Sequence, residues 1–311
     1  MNTLTIMKER FILDMTWKKF GLTAASASVL FLAACEDNGD TADNGEEIET
    51  VVDGDEITLS YVSWDSEIAS THVVGKVLED LGYDVTLTAL DNAIMWEAVA
   101  SGDADGMVAA WLPGTHQAQF DEYSDRMEHL GTNLEGAVIG LVVPEYMDVD
   151  SIADLSDEAG QTITGIEAGA GVVAAAEQAL EDYENLDGWN VQTSSSGAMV
   201  QELTTAYQNE DEIIVTGWSP HWKFSQFDLK YLEDPEGSFG EAETINTFVR
   251  EGLSEDLPEA YQLLDNFYWE TDHMEEVMLE IQEGAEPEDA ARNWVDNNSD
   301  LVSEWIEGIG E

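Results

Sequence analysis

Two stretches of the chain follow the same plan of alternating strands and helices, and this duplication constrains the fold more than any other feature. An apolar strand over 57–62 opens the first stretch, and one over 162–166 opens the second. Trp111 and Trp218 are 107 residues apart, as are Pro113 and Pro220, and an apolar strand precedes each tryptophan. Alternating elements with continuous apolar strands are typical of parallel α/β sheets. The sequence therefore predicts an α/β protein with two similar lobes.

The boundaries of these lobes follow from where the pattern starts, changes and stops. The first lobe is predicted over 57–145 and the second over 146–250. Beyond them, apolar residues at helical spacing, such as Met274, Val277 and Met278, predict helices over 251–311. We expect these C-terminal helices to pack back on a lobe, with the first lobe as the preferred partner.

Residues 1–34 have the features of a secretory signal that ends in a lipidation site. Lys18 and Lys19 precede an uncharged, largely apolar run over 20–34, which is shorter than the ~20 apolar residues of a membrane-spanning helix. The run closes with Leu-Ala-Ala-Cys, and Cys35 is the only cysteine of the chain. This order resembles the lipobox of bacterial lipoproteins, which predicts lipidation of Cys35. An ordinary secretory signal is the alternative. The signal begins at either Met1 or Met15.

The charge of the chain excludes several classes of partner. There are 67 Asp and Glu against 10 Lys and Arg, for a net charge of −57. Nucleic-acid recognition needs clustered basic residues, so that class is excluded, and the folded body is not expected to adsorb to anionic lipid. Residues 35–56 predict an acidic flexible tether. Acids spread over the whole chain are typical of a halophilic protein, with an acidic protein of ordinary habitat as the alternative.

Three tryptophans stand at the ends of predicted strands. Trp64 follows the first strand, and Trp111 and Trp218 follow two later ones. Ligands of α/β sheets bind beyond the carboxyl ends of the strands, so these side chains suggest an aromatic box between the lobes. Such a box suits a quaternary ammonium, which offers no hydrogen-bond donor and is attracted by ring faces. Packing in the core is the alternative for each tryptophan taken alone.

A turn of small residues over 165–172 follows a strand and opens a helix. Its glycines do not have the spacing of a dinucleotide fingerprint. Free backbone N–H groups at the start of a helix nevertheless suit a carboxylate. His116, five residues after Trp111, could donate a further hydrogen bond to the same anion. The residues thus predict a ligand with a methylated cation and a carboxylate.

Three segments carry a specific resemblance to a known family. They read Trp-Asp-Ser-Glu-Ile-Ala-Ser-Thr at 64–71, Ala-Trp-Leu-Pro-Gly-Thr-His at 110–116 and Thr-Gly-Trp-Ser-Pro-His-Trp at 216–222. Together they resemble the signature segments of glycine betaine-binding lipoproteins of compatible-solute ABC importers, over about 57–308. The resemblance implies a two-lobed type II periplasmic-binding-protein fold with the ligand cleft between the lobes.

The resemblance also implies roles for particular residues. Trp64, Trp111 and Trp218 would cage the trimethylammonium group. The carboxylate donors would be the backbone N–H groups of Gly171 and Val172 and the side chain of His116. The segment 168–173 departs from the family's pattern, which backbone donors tolerate.

A function outside the cytoplasm follows from this resemblance. It implies a solute-binding protein that captures glycine betaine, and also proline betaine, in osmoprotection. The implied partners are the permease and ATPase subunits of an ABC importer, with lipid anchoring at the outer face of the cytoplasmic membrane. Choline, carnitine or a related quaternary ammonium compound is the alternative ligand.

An enzyme is a weaker interpretation of the same residues. The chain has no Gly-x-Ser-x-Gly elbow, and its lone cysteine lies in the lipobox. His221 and His273 lack the spacing of metal ligands. We therefore expect neither catalysis, nor a metal, nor a cofactor.

Overall fold

A computed structural model of the chain describes residues 51–310, all of which lie in one compact unit, Gly45–Glu311. The predicted signal over 1–34, the predicted lipidation site Cys35 and the tether up to residue 50 lie outside the described residues. Within 51–310, no helix has the length and apolar character needed to cross a membrane.

Nine strands and eleven α-helices make up the described part of the chain. The strands are β1 (Glu56–Tyr61), β2 (Asp84–Ala89), β3 (Gly106–Leu112), β4 (Met127–Pro144), β5 (Thr162–Thr164), β6 (Asn190–Gln192), β7 (Ile214–Ser219), β8 (Leu229–Tyr231) and β9 (Glu243–Arg250). The helices are α1 (Asp65–Leu81), α2 (Asn92–Ser101), α3 (Gln117–Tyr123), α4 (Gly171–Asp182), α5 (Ser196–Asn209), α6 (Lys223–Gln226), α7 (Leu253–Asp256), α8 (Pro258–Asn266), α9 (Thr271–Gln282), α10 (Pro287–Asn297) and α11 (Ser299–Trp305).

The strands form a mixed sheet in the order β2-β1-β3-β9-β4-β7-β5-β6, with β8 paired to β4. At one end β1 is parallel to β2 and β3, and at the other β5 is parallel to β6 and β7. The expected parallel pairing is therefore present at both ends. The two central strands, β4 and β9, instead run antiparallel to their neighbours.

The long strand β4 connects the two halves of the sheet. Its residues 127–137 pair with β9, and residues 138–142 pair with β7. Strand β9 pairs only with β3 and β4, so residues 243–250 belong to the first half of the sheet. We refer to the half around β1–β3 and β9 as the first lobe, and to the half around β5–β7 as the second. The pairing thus changes lobe earlier along the chain than the predicted boundaries at 145/146 and 250/251.

Helix α1 is longer than the apolar spacing indicated. The apolar residues at helical spacing begin at Val73, whereas the helix begins at Asp65. The first two turns contain small or polar residues that are nonetheless buried, and the ionised carboxylate of Asp65 favours the helix N-terminus. Gly82 ends the helix with φ of 106°, a conformation that glycine adopts without strain.

The C-terminal helices α9 and α10 pack against α1 in the first lobe. Arg292 of α10 donates two hydrogen bonds of 2.7 Å to the carboxylate of Asp80 of α1. The last residues of the predicted tether also join this body. The N–H groups of Val51 and Val52 donate to the Leu81 carbonyl, and both side chains pack against the core. Residues 51–56 are thus part of the folded body and not of a free tether.

Candidate ligand-binding site

All six predicted ligand-binding residues line one cavity between the lobes, which is partly open to solvent and contains about 320 Å³ of space free of protein atoms. The complete lining consists of Trp64, Ser66, Trp111, Thr115, His116, Ile139, Ile166, Ala170, Gly171, Val172 and Trp218. Both lobes contribute, as the duplicated plan predicted. Five further residues, Ser66, Thr115, Ile139, Ile166 and Ala170, were not foreseen. Four of them are close in sequence to predicted residues, but Ile139 of β4 carried no signal.

The three tryptophans occupy corresponding strand ends. Trp64 immediately precedes α1, Trp111 is the penultimate residue of β3, and Trp218 is the penultimate residue of β7. Their exposed fractions are only 7%, 4% and 4%. The peptide bonds before Pro113 and Pro220 are both cis. The three tryptophan side chains are thus almost fully enclosed at the cavity wall.

His116 presents a hydrogen-bond donor to the cavity. Its Nδ1 accepts a hydrogen bond of 3.1 Å from the backbone N–H of Trp111. Burial lowers the pKa of His116 to about 3, so the ring is neutral and its single proton lies on Nε2. That Nε2 is buried and has no partner within the described chain. The imidazole also stacks on Trp64, with ring centroids 6.2 Å apart. A neutral donor thus faces the cavity from a fixed direction.

Further donors come from the start of α4. The first N–H groups of a helix have no partner inside it, and those of Gly171 and Val172 make no hydrogen bond within the described residues. Gly171 also lies against the first lobe, because a Cβ at this position would be 2.1 Å from the carbonyl oxygen of Thr115. Only glycine permits this approach, so the start of α4 and the loop after β3 fit together across the cleft.

A buried carboxylate holds the loop that carries Thr115 and His116. Glu243, the first residue of β9, accepts hydrogen bonds from the backbone N–H groups of Gly114 and Thr115 and from the hydroxyl of Thr115. The Thr115 N–H lies 2.8 Å from Oε1. Sequence reasoning assigned no role to this acid, because the contact joins residues far apart along the chain. Its effect is to fix the backbone on which two of the cavity residues lie.

The chemistry of the cavity is that of a binding site for a zwitterion. None of its eleven lining residues is an acid or a base with a permanent charge, although the chain carries a net charge of −57. The lining includes three indole rings, and His116 Nε2 is a buried, neutral donor without a partner in the described residues. Among the described residues, no cluster of three or more His, Cys, Asp or Glu could hold a metal ion.

Comparison with known proteins gives a family and close structural matches. Residues 55–297 match the family described as the substrate-binding domain of ABC-type glycine betaine transport systems. Over 174 residues, 56% of this chain, the sequence is 50% identical to the glycine betaine/carnitine transport binding protein GbuC of Listeria monocytogenes. That match spans 57% of the length of the Listeria protein.

Two solved structures extend the similarity to most of the chain. The lactococcal protein OpuAC, crystallised in a closed conformation with glycine betaine, is 51% identical, with a TM-score of 0.80. The match covers 81% of this chain and 100% of that one. A choline-binding protein of an ABC transporter, solved with choline, is 27% identical with a TM-score of 0.76, over 82% of this chain and 92% of that one.

Proposed function

This chain belongs to the family of substrate-binding domains of ABC-type glycine betaine transport systems, and on that premise we propose that it captures glycine betaine for an ABC importer. The family is one of solute-binding proteins and not of enzymes. Its two-lobed α/β fold matches that of the OpuAC structures. The observation that carries the proposal is the pairing, in one cavity, of an uncharged aromatic wall with neutral hydrogen-bond donors.

The trimethylammonium group is bound by the faces of Trp64, Trp111 and Trp218. Each ring face attracts a cation by ~0.5–2 kcal/mol, with the larger values at desolvated positions. The absence of a lining carboxylate matters for selectivity, since a carboxylate would bind hydrated inorganic cations as well. Ring faces favour a cation whose charge is covered by methyl groups.

The carboxylate of the ligand is bound by three neutral donors. His116 donates from Nε2, and Gly171 and Val172 donate from the backbone at the positive end of the α4 dipole. A hydrogen bond to a charged acceptor contributes about 1.5–3 kcal/mol. These donors would remain unpaired around a ligand without an anionic group.

The choice between betaines and choline depends on these donors. Choline carries the same cation as glycine betaine but no carboxylate, so it leaves the three donors unpaired, at a cost of about 1–3 kcal/mol for each buried group. Proline betaine offers both groups and is a second ligand of the same site. Carnitine also carries a carboxylate, at a greater distance from its cation.

The implied partners are the permease and ATPase subunits of an importer. Substrate-binding proteins of such importers work outside the cytoplasm, and we place this chain at the outer face of the cytoplasmic membrane. Lipidation of Cys35 would anchor it there, and residues 36–50 would tether the body.

Calorimetric titration of the wild type and of His116→Ala with glycine betaine and with choline tests this function. We expect tight binding of betaine to the wild type and a loss of about tenfold or more in His116→Ala, with any weak choline binding nearly unchanged. His129→Ala is a matched control, since this histidine lies on β4 outside the cavity. Absence of betaine binding to the wild type would refute the proposal. An equal loss for both ligands would mean that His116 shapes the pocket without binding the anion.

A further inference from the structure

Two consecutive residues of the first lobe, Trp64 and Asp65, make hydrogen bonds to the second lobe. The indole Nε1 of Trp64 donates to Oε2 of Glu167 at 2.9 Å. Asp65, the first residue of α1, accepts from the indole Nε1 of Trp222 at 2.8 Å and from the Ser196 hydroxyl at 3.1 Å. Glu167, Ser196 and Trp222 all belong to the second lobe. Both contacts therefore exist only while the lobes are together.

Ser196 joins the two contacts into one network. Its backbone N–H donates to Oε1 of Glu167 at 3.1 Å, while its hydroxyl donates to Asp65. The network thus runs from Trp64 through Glu167, Ser196 and Asp65 to Trp222, and we call these five residues the latch. Four of the five lie outside the cavity lining, and only Trp64 is shared with it.

The surroundings of Asp65 favour its ionised form. Burial by itself raises the pKa of this carboxyl, but the His221 ring, with Nε2 3.6 Å from Oδ2, the hydrogen bond from Trp222 and the charge of Lys223 bring it below its usual range. Lys223 is fully buried, and burial lowers its pKa to about 7, an effect that the Asp65 charge opposes. Its Nζ donates to the carbonyl of Trp218 at 3.2 Å. The carboxylate of Asp65 in the first lobe thus faces residues 221–223, which lie just after Trp218 in the second lobe.

We propose that Asp65 is a positioning residue that holds the lobes closed by docking onto Ser196 and the segment His221–Lys223. This inference rests on the proposed function, because closure without a captured ligand would have no use. Asp65 is absent from the cavity lining, so it acts on the lifetime of the closed form and not on the identity of the ligand. Breaking the latch accelerates ligand release and weakens all betaines by the same factor.

Asp65→Asn is the direct test, because it keeps the shape of the side chain, removes its charge and replaces one acceptor oxygen with a donor. We expect about a tenfold loss of affinity for glycine betaine and an equal loss for proline betaine, from faster dissociation in stopped-flow measurements with an unchanged association rate. Asp91→Asn is the matched control. Asp91 immediately precedes α2 in the same lobe, is exposed and makes no side-chain cap hydrogen bond.

Ser196→Ala provides a second variant, since it removes one donor to Asp65 with little change in volume. In a double-mutant cycle, the losses of Asp65→Asn and Ser196→Ala should be less than additive, because both break the same contact. If Asp65→Asn unfolds without ligand, Ser196→Ala alone should still shorten the lifetime of the complex. If both variants bind betaine and release it at the wild-type rate, the latch is refuted. Failure of the wild type to bind would instead refute the proposed function.

Discussion

The amine of Lys223 lies over the ring of Trp218, with Nζ 4.4 Å from the ring centroid. We expect Trp218→Phe to weaken glycine betaine less than Trp218→Ala, since phenylalanine retains a ring face. The alanine variant should lose at least the ~0.5–2 kcal/mol of one cation–π contact. Calorimetry checks both variants, with Trp189→Phe as a control in the same lobe but outside the cavity. If Trp218→Ala bound glycine betaine as tightly as the wild type, Trp218 would be a packing residue and not part of the aromatic box.

Glu67 is a buried acid whose protonation couples stability to pH. Burial raises the pKa of its carboxyl to about 8, and the hydrogen bond from the Val62 N–H opposes this only in part. Because the pKa of Glu67 is higher in the folded state, the group stabilises the fold fully below its unfolded pKa of about 4.5, and this stabilisation is lost as the pH rises through about 8. Glu67→Gln has no proton to lose. The free energy of unfolding of Glu67→Gln should therefore increase relative to that of the wild type between pH 5 and pH 8.

Chemical unfolding at pH 5, 7 and 9 measures that difference. Glu79→Gln is the control, because Glu79 is an exposed acid of the same helix. Parallel pH profiles for the wild type and Glu67→Gln would mean that Glu67 is ionised in the folded protein.

At the scale of elements, the fit between the start of α4 and the loop after β3 depends on Gly171. A Cβ at Gly171 would meet the Thr115 carbonyl oxygen at 2.1 Å, which is far closer than such atoms approach. We expect Gly171→Ala to keep each lobe folded but to prevent full closure, with at least a tenfold loss of betaine affinity and little change in the ligand-free melting temperature. Gly197→Ala is the matched control, since no atom lies within 4 Å of its added Cβ. Wild-type affinity in Gly171→Ala would contradict this fit.

The sequence predicted most elements because each has its own local signal. The apolar runs of β1, β3 and β7 and the tryptophans after them are recognisable without knowledge of the partners. Strand β4 has a continuous apolar pattern only in its second part, because its first part carries glycines and charged residues and gains its pairing from β9. A strand stabilised by distant residues has a weak local pattern.

The same distinction applies to the site. That Trp64, Trp111, Trp218 and His116 would line one cavity was predictable from residue type and position, because the tryptophans stand near strand ends and His116 closely follows one of them. The roles of Glu243 and Asp65 were not predictable, because an acid in a chain of 67 acids gives no signal until its partners are known.

At the scale of the whole molecule, the net charge of −57 makes stability depend on salt. Repulsion between acids acts over a screening distance of about 3 Å at 1 M salt and about 30 Å at 0.01 M. The melting temperature should therefore rise across this range of sodium chloride. Sucrose at matched osmolality is the control, because it stabilises by exclusion without screening charge. A melting temperature that does not change with salt would contradict the halophilic interpretation of the acidic surface.

The two lobes are connected at two crossings, and a glycine lies at each. In β4, pairing changes from β9 to β7 between residues 137 and 138, next to Gly136 with φ of +80°. The second crossing precedes β9, where Gly240 has φ of +71°. Neither glycine has an atom within 4 Å of an added Cβ. Open space and glycine's wide conformational range make these two positions suitable hinges.

Closure about these hinges should be visible in solution scattering. Trp64 and Asp65 bind the second lobe across the cleft in this structure, which is therefore a closed form. We expect the radius of gyration of the wild type to fall when glycine betaine is added and to stay constant with proline, which lacks the methylated cation. Gly171→Ala should show a smaller decrease at saturating betaine, because its Cβ obstructs the approach of Thr115. Scattering curves of the wild type that are identical with and without betaine would contradict a site completed by lobe closure.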